Sequence, residues 1–423
     1  MPVRGLPVRP NLEQLRHQAK DLLTAARAGD ASALDDFRAF HPTGGVSTTL
    51  QLHEAQLVLA RSYQCASWPR LVQACELADA IWQDDLDTVV RLVTQHPHLR
   101  DEHVLVRRDS NWGPPMSYAA NLGRDRIIQW LHEHGATDLE HALGRAVLQS
   151  QVSTAALLHG LLGKSLPPQD SLGGPAYTLS VAGTEFLLAL GVRVVDDQGR
   201  QLAPVDVVLE TDSRVPAAKH AILKLYEAHG LAYPDTPVMA VHRGRLDLLE
   251  AHVRRDPTVV NRTFTFEEMY PPALGCHDPV QATHGSPLGG TTLLHLCIDY
   301  DEREIAQWLL AHGADPNRRA TVDAEGFGGH TALFASVVSQ PAFWMNFGHR
   351  SLDASFTQLL LDHGADVHVR CSLRKQLHPG YGKDEVMREY RDVTPLSWGR
   401  RFHRKEFVNG AALALIEAAG GQE

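Results

Sequence analysis

The densest set of reactive side chains in the sequence is Cys276-His277-Asp278, with His284 a few residues beyond. A thiolate, an imidazole and a carboxylate are the ingredients of a metal site, or of a nucleophile with its base. The spacing argues against both. Side chains on adjacent residues diverge unless a special turn turns them together, and structural zinc sites draw on two separated pairs of ligands. Cys371 and His378 would complete a donor set if their loop met this one, so a metal or small-ligand site on Cys276, His277 and His284 stays as the alternative reading. No phosphate loop, dinucleotide fingerprint, G-x-S-x-G elbow or H-E-x-x-H helix occurs. Gly326-Phe327-Gly328-Gly329 is too short to cradle a phosphate and follows no strand. The chain is read as non-catalytic and without a cofactor.

Charge removes further classes. Forty Lys and Arg against 50 Asp and Glu give a formal charge of −10, which repels a phosphate backbone unless the cations segregate onto one face. The one basic run, Arg400-Arg401-Phe402-His403-Arg404-Lys405, reads as a solvated end face, so nucleic acid is not the expected partner. No segment approaches the ~20 apolar residues of a membrane span, and the N-terminus lacks a signal-peptide core. The five cysteines, Cys65, Cys75, Cys276, Cys297 and Cys371, are odd in number and form no C-x-x-C pair. Reduced thiols and a cytoplasmic location are expected.

The elements that would position any site come from a repeat. Leu309-Leu310-Ala311-His312-Gly313-Ala314-Asp315 recurs as Leu360-Leu361-Asp362-His363-Gly364-Ala365-Asp366. Looser copies are Trp130 to Ala136, Leu187 to Gly191 and Leu225 to Gly230. Ahead of them stands a second marker, seen in Pro114-Pro115-Met116, Thr236-Pro237-Val238, Thr292-Leu293-Leu294-His295, Thr331-Ala332-Leu333 and Thr394-Pro395-Leu396. Pro114 to Gly135 and Thr292 to Gly313 both span 21 residues, room for two short antiparallel helices and a turn. A Thr hydroxyl caps free amides at a helix start, and Pro in the first turn loses no hydrogen bond. The closing Gly supplies the left-handed conformation that ends the second helix. Histidine, at 24 residues, often precedes that Gly, where a protonated ring would meet the negative end of the helix dipole.

These residues resemble the ankyrin repeat, with its Thr-Pro-Leu-His start and Leu-Leu…Gly-Ala-Asp end. The best copies are 292–317, 331–366 and 114–138, and weaker ones fall at 76–105, 139–165, 171–195, 203–231, 234–262 and 392–420, about nine in all. The resemblance implies an all-α solenoid of stacked helix pairs that binds a protein or peptide through its concave groove and finger loops. His295 then holds the motif histidine, whose role is a local hydrogen bond. Residues 1–75 form a helical leader, with Leu12, Leu15, Ala19, Leu22, Leu23 and Ala26 in helical rhythm and Ser67 capping a further helix. Its Ala-Arg-Ala-Gly-Asp and Ala-Ser-Trp-Pro-Arg-Leu strings look like the leader ahead of some bacterial ankyrin arrays. The expected division is 1–75 leader, 76–262 N-terminal repeats and 263–423 C-terminal repeats.

Insertions break the period at 263–289, 318–328 and 369–391, all at the finger position, and once inside the repeat of Thr331 to Gly364, which spans 33 residues instead of 21. Fingers of consecutive repeats point the same way, so the first three loops should stand side by side as a wall. Their aromatics, Phe264, Phe266, Tyr270, Phe327 and Tyr381, together with Trp344 of the fourth insertion, are the expected partner-binding anchors. The same rings could instead fold back over the groove.

Overall fold

The computed structural model describes residues 4–423 apart from 44–49, 108–109, 212, 277–284, 339–352 and 377–385. Helix α1 (Leu12–Arg27) buries Leu15, Ala19, Leu23 and Ala26, the face the periodicity picks out, and begins where the Asn11 side chain accepts from the Gln14 amide. Helix α2 (Ala31–Phe40) starts under Asp30, which accepts from the Ala33 amide at 2.9 Å. Helix α3 (Leu52–Ser62) brings Ala55 and Val58 against Leu23 and Phe37. Helix α4 (Trp68–Trp82) follows, with Ser67 as its cap and Pro69 in its first turn. The expected boundary at residue 75 therefore falls in the middle of α4, which pairs with α5 (Leu86–Gln95) as the first helix pair.

Packing divides the chain into Met1–Ser165 and Leu166–Glu423, in place of the expected breaks at 75 and 262. The first unit adds α6 (Pro115–Asn121) with α7 (Asp125–Glu133) and α8 (Leu139–Leu148) with α9 (Val152–Leu161). The second holds α10 (Gly173–Thr178) with α11 (Val181–Ala189), α12 (Val205–Glu210) with α13 (Pro216–Ala228), and α14 (Pro237–His242) with α15 (Leu246–Arg255). A single turn, α16 (Phe266–Met269), lies in the first insertion. Then come α17 (Leu293–Tyr300) with α18 (Arg303–Ala311), α19 (Ala332–Val337) with α20 (Ser355–Asp362), and α21 (Pro395–Arg401) with α22 (Gly410–Ala418). Eight of the nine copies read from the sequence hold a whole helix pair, and the copy at 76–105 holds α5 with the second half of α4.

Helix ends follow the residue types. Thr236 accepts from the Met239 amide and Thr394 from that of Ser397, each just ahead of a proline. At the far end Gly313 takes φ 90°, and the Ala314 amide reaches back to the Leu309 carbonyl at 2.9 Å, closing the last turn of α18. The histidines before these glycines donate Nδ1–H to the carbonyl four residues back, His312 to Trp308 and His363 to Leu359, both at 2.8 Å. A neutral ring suffices for that bond, so the closure does not depend on the protonated form expected from the helix dipole.

The described fold is mostly helical as expected, and the insertion at 369–391 adds a small two-stranded sheet. Cys371–Lys375 (β1) pairs antiparallel with Arg388–Val393 (β2), Cys371 opposite Val393 and Leu373 opposite Tyr390, with an irregularity between. Cys371, Leu373 and Lys375 alternate inward along β1, the period of a strand.

Two asparagines tie successive repeats. Asn261 donates to the Gly313 carbonyl and accepts from the Asp315 amide, both at 2.8 Å. Asn317 does the same one repeat later, to Gly364 at 2.8 Å and from Asp366 at 2.7 Å. Each bond to a half-buried amide contributes about 1 kcal/mol. Asn317→Ala should therefore lower stability by about 1–2 kcal/mol in urea unfolding of the full chain.

Candidate functional site

The inner helices of the C-terminal repeats offer no open face. All eight residues of α17 and all six of α19 are buried.

The three finger insertions join through their backbones. The Phe264 amide donates to Thr291 O at 2.8 Å and Gly290 N returns to Phe264 O at 2.7 Å. The Thr321 amide then donates to Gly290 O at 2.9 Å, and Gly328 N to Ser372 O at 2.7 Å, where β1 and β2 continue the ladder. The expected wall of neighbouring fingers is present. Gly328 permits the join: at φ 115° a Cβ there would sit 2.0 Å from Thr321 O.

Of the aromatics expected as anchors, Phe264, Tyr270 and Phe327 are buried, the fold-back arrangement that the sequence reading left open. Phe264 is 1% exposed under the Arg262 guanidinium, 4.1 Å from the ring. Tyr270 is fully buried and donates its hydroxyl to Tyr300 at 2.7 Å, since the Tyr300 hydroxyl is already given to Leu209 O. Phe327 lies between the guanidinium groups of Arg374 and Arg391, 4.0 and 4.5 Å from its ring, and Arg374 is held by Asp323 and Glu325 at 2.9 and 2.8 Å. Phe266 remains half-buried against Tyr270. Trp344 and Tyr381 lie outside the described residues. The large apolar side chains left open on the wall are Val322, Val386 and Met387, 60, 59 and 50% exposed. They are three of the six exposed large apolar residues among those described, so the fingers are where apolar surface collects.

Beneath the wall the second unit buries an ionic cluster that the sequence reading missed. Asp299 on α17 accepts from Arg214 Nη2 at 2.9 Å and from the Gly285 amide at 3.1 Å, with both charged side chains almost wholly buried. Lys219 on α13 donates to His242 Nδ1 at 2.9 Å, which fixes the tautomer: His242 Nε2–H donates to Met269 O at 2.9 Å. The Arg214 and Lys219 cations both stand 4.1 Å from the Tyr300 ring. Burial pulls Lys219 down to about 8, and pulls Lys375 of β1 down to about 7 although Asp299 holds it up. The inward third position of Cys371-Ser372-Leu373-Arg374-Lys375 was the available signal, once the segment is read as a strand.

The expected chemical alternative loses its reactive thiol. Cys276 is 1% exposed and burial, reinforced by Glu210 and Asp206, pushes its pKa upward, so it holds its proton at neutral pH. His277 and His284 lie outside the described residues. Among the described residues no group of three or more His, Cys, Asp or Glu is close enough to hold a metal ion. The basic run is largely engaged: Arg400 pairs with Glu417 and Glu423, Arg404 with Glu406, and Phe402 is buried.

His295 caps its own helix start. Its Nδ1 accepts from the Thr292 hydroxyl at 2.9 Å, and Nε2–H donates to His330 O at 3.3 Å. His330 in turn meets Pro287 O at 2.8 Å.

Thr292 and His295 fall within residues 289–321, which match the family model of the ankyrin repeat. Residues 289–321 thus form an ankyrin repeat, with α17 and α18 as the matched unit, and eight further helix pairs accompany it in the chain. Among solved structures, the ankyrin repeat domain of human ASB11 is 15% identical over 71% of this chain and 97% of its own, with a TM-score of 0.25. No curated protein matches the chain. Ankyrin repeats generally mediate protein–protein interaction, and the family is typically non-enzymatic. No helix among the described residues is long and apolar enough to cross a membrane.

Burial lowers His295 to about 3 and His330 to about 4 from an ordinary 6.5. Below pH 6.5 the unfolded chain binds these protons and the folded chain does not. Stability is therefore complete above 6.5 and falls as pH drops toward about 4, by about 1.4 kcal/mol per histidine for each pH unit crossed. Denaturant unfolding across that range should show the fall, and His295→Gln should flatten it. For the ionic pair, Asp299→Ala strands the buried Arg214 and should cost about 3–5 kcal/mol, whereas Arg214→Met with Asp299→Leu should cost less than the single change.

Proposed function

We propose that this chain is a non-catalytic scaffold that docks a partner protein on its finger wall, in the cytoplasm and without nucleic acid or membrane. One observation carries the reading: Val322, Val386 and Met387 gather exposed apolar surface on fingers whose backbones are hydrogen-bonded to one another. A partner that covers such residues gains their burial without the cost of ordering a loose loop. The Arg374, Asp323 and Glu325 ion pairs flank the patch and would form its polar rim. Of the aromatics expected to bind, Phe266 joins this surface as a half-buried ring, and Trp344 and Tyr381 stay in the proposed set.

The groove is a lesser part of the reading, because α17 and α19 have no exposed residue to give a peptide. The family's typical lack of enzymes and the protonated Cys276 support the absence of chemistry.

Affinity purification from the native cell extract tests the reading, with Val322→Asp/Met387→Asp beside the unchanged chain and Leu52→Asp, on the leader, as a control. A specific protein should be retained by the unchanged chain and the control, and weakened about tenfold or more by the finger variant. Equal retention by all three would overturn docking on the wall.

A further inference from the structure

A cleft of about 460 Å³ opens between α13 and the turn that joins α14 to α15. Its floor is Ala217 and Ala221, one helical turn apart, which lets another backbone approach closely. Around that floor stand Lys224 on α13 and Arg243 and Arg245 on the turn. Glu227 is the one carboxylate in the lining.

The cleft is built to hold its shape. Gly244, at φ 64°, brings the turn so close to α13 that a Cβ would meet the His220 ring at 2.3 Å. His220 is itself fixed by Glu302 at 2.8 Å. Arg243 is 10% exposed, lies 4.8 Å from the Tyr233 ring and pairs with Glu227. Arg243 is therefore set in place, and Lys224 and Arg245 are the more exposed cations beside it.

Charge points to the occupant. Residues 216–262 carry seven Lys and Arg against five Asp and Glu, in a chain with 40 against 50. Lys219 of that count is buried, so the cations that line the cleft are Lys224, which is exposed, with Arg243 and Arg245. The acids that hold Arg243 and Arg245, Glu227 and Asp247, are 46 and 62% exposed. Exposed pairs of this kind contribute little, so a carboxylate brought by a partner exchanges with them at small cost. Stacking on bases needs an open aromatic face, and Tyr233 is covered by Arg243.

We infer that this cleft docks an acidic peptide segment of a partner protein. The inference rests on the protein-binding reading but not on the finger wall, and gives the array a second surface.

The probe is a fluorescein-labelled peptide rich in Glu and Asp, followed by anisotropy against the full chain. The unchanged chain should bind it, with affinity falling as salt rises. Lys224→Glu/Arg245→Glu should weaken binding about tenfold or more, and Lys224→Ala/Arg245→Ala should weaken it in the same direction by less. Thermal unfolding confirms that both variants remain folded. Val322→Asp/Met387→Asp should bind the peptide as the unchanged chain does. The inference is overturned if the acidic peptide does not bind, if its Lys-rich counterpart binds equally, if the charge-reversed variant binds as well, or if labelled single-stranded RNA binds more tightly. Loss of peptide binding while the finger variant still sheds its partner protein would remove the cleft alone. Peptide binding with a finger variant that sheds nothing would support the cleft and remove the wall.

Discussion

Everything in the C-terminal repeats follows from how short their inner helices are. A helix of six to eight residues has too few internal hydrogen bonds to persist in water, so its stability must come from burial. In α17 and α19 that burial is complete, on every side of the helix. A neighbouring repeat can cover only one side of such a helix. The remaining sides must be covered by the chain's own insertions, which is why Tyr270, Gly285 and Lys375 are drawn down to α17 and away from solvent.

The insertions are held at both ends by backbone groups. Asn261 and Asn317 fix where each finger leaves its helix, by reading the carbonyl of the closing Gly and the amide of the following Asp together. Farther out, the bonds from Phe264 through Gly290, Thr321, Gly328 and Ser372 fix one finger against the next. Apart from glycines such as Gly328, which the join needs for close approach, these backbone bonds place no demand on the outward side chains of the wall. That division of labour suits a surface used for recognition.

The helix pairs were legible because their ends use residues with a single conformational purpose. Thr-Pro starts a helix, and a Gly at φ near 90° stops one, whatever surrounds them. The strands of the third finger were not legible: Cys371-Ser372-Leu373-Arg374-Lys375 alternates, but its inward places end on a lysine, which a pattern of apolar residues passes over. The burial of the aromatics was hidden for a related reason. Phe327 among glycines reads as exposed until two arginines from the next finger arrive on its faces, and that contact links residues 47 and 64 positions apart. Burial of this kind is set by distant partners and has no local spacing to betray it.

The ionic cluster answers a problem that a repeat array creates for itself. Copies with the same apolar faces could stack out of register at little cost, because one Leu replaces another. The position seven residues after the repeat start breaks the equivalence: it is Asp299 in one copy and Arg243, Val338 and Arg401 in others. Burying Arg214 with Asp299 gains little over an apolar pair, since desolvation offsets the attraction. A slipped stack, however, leaves one of the two charges buried alone, and that is strongly unfavourable. The pair thus adds little to how firmly the native stack holds and much to how poorly any other stack would. Lys375 of the third finger is buried near the same carboxylate, which favours its charged form against the burial.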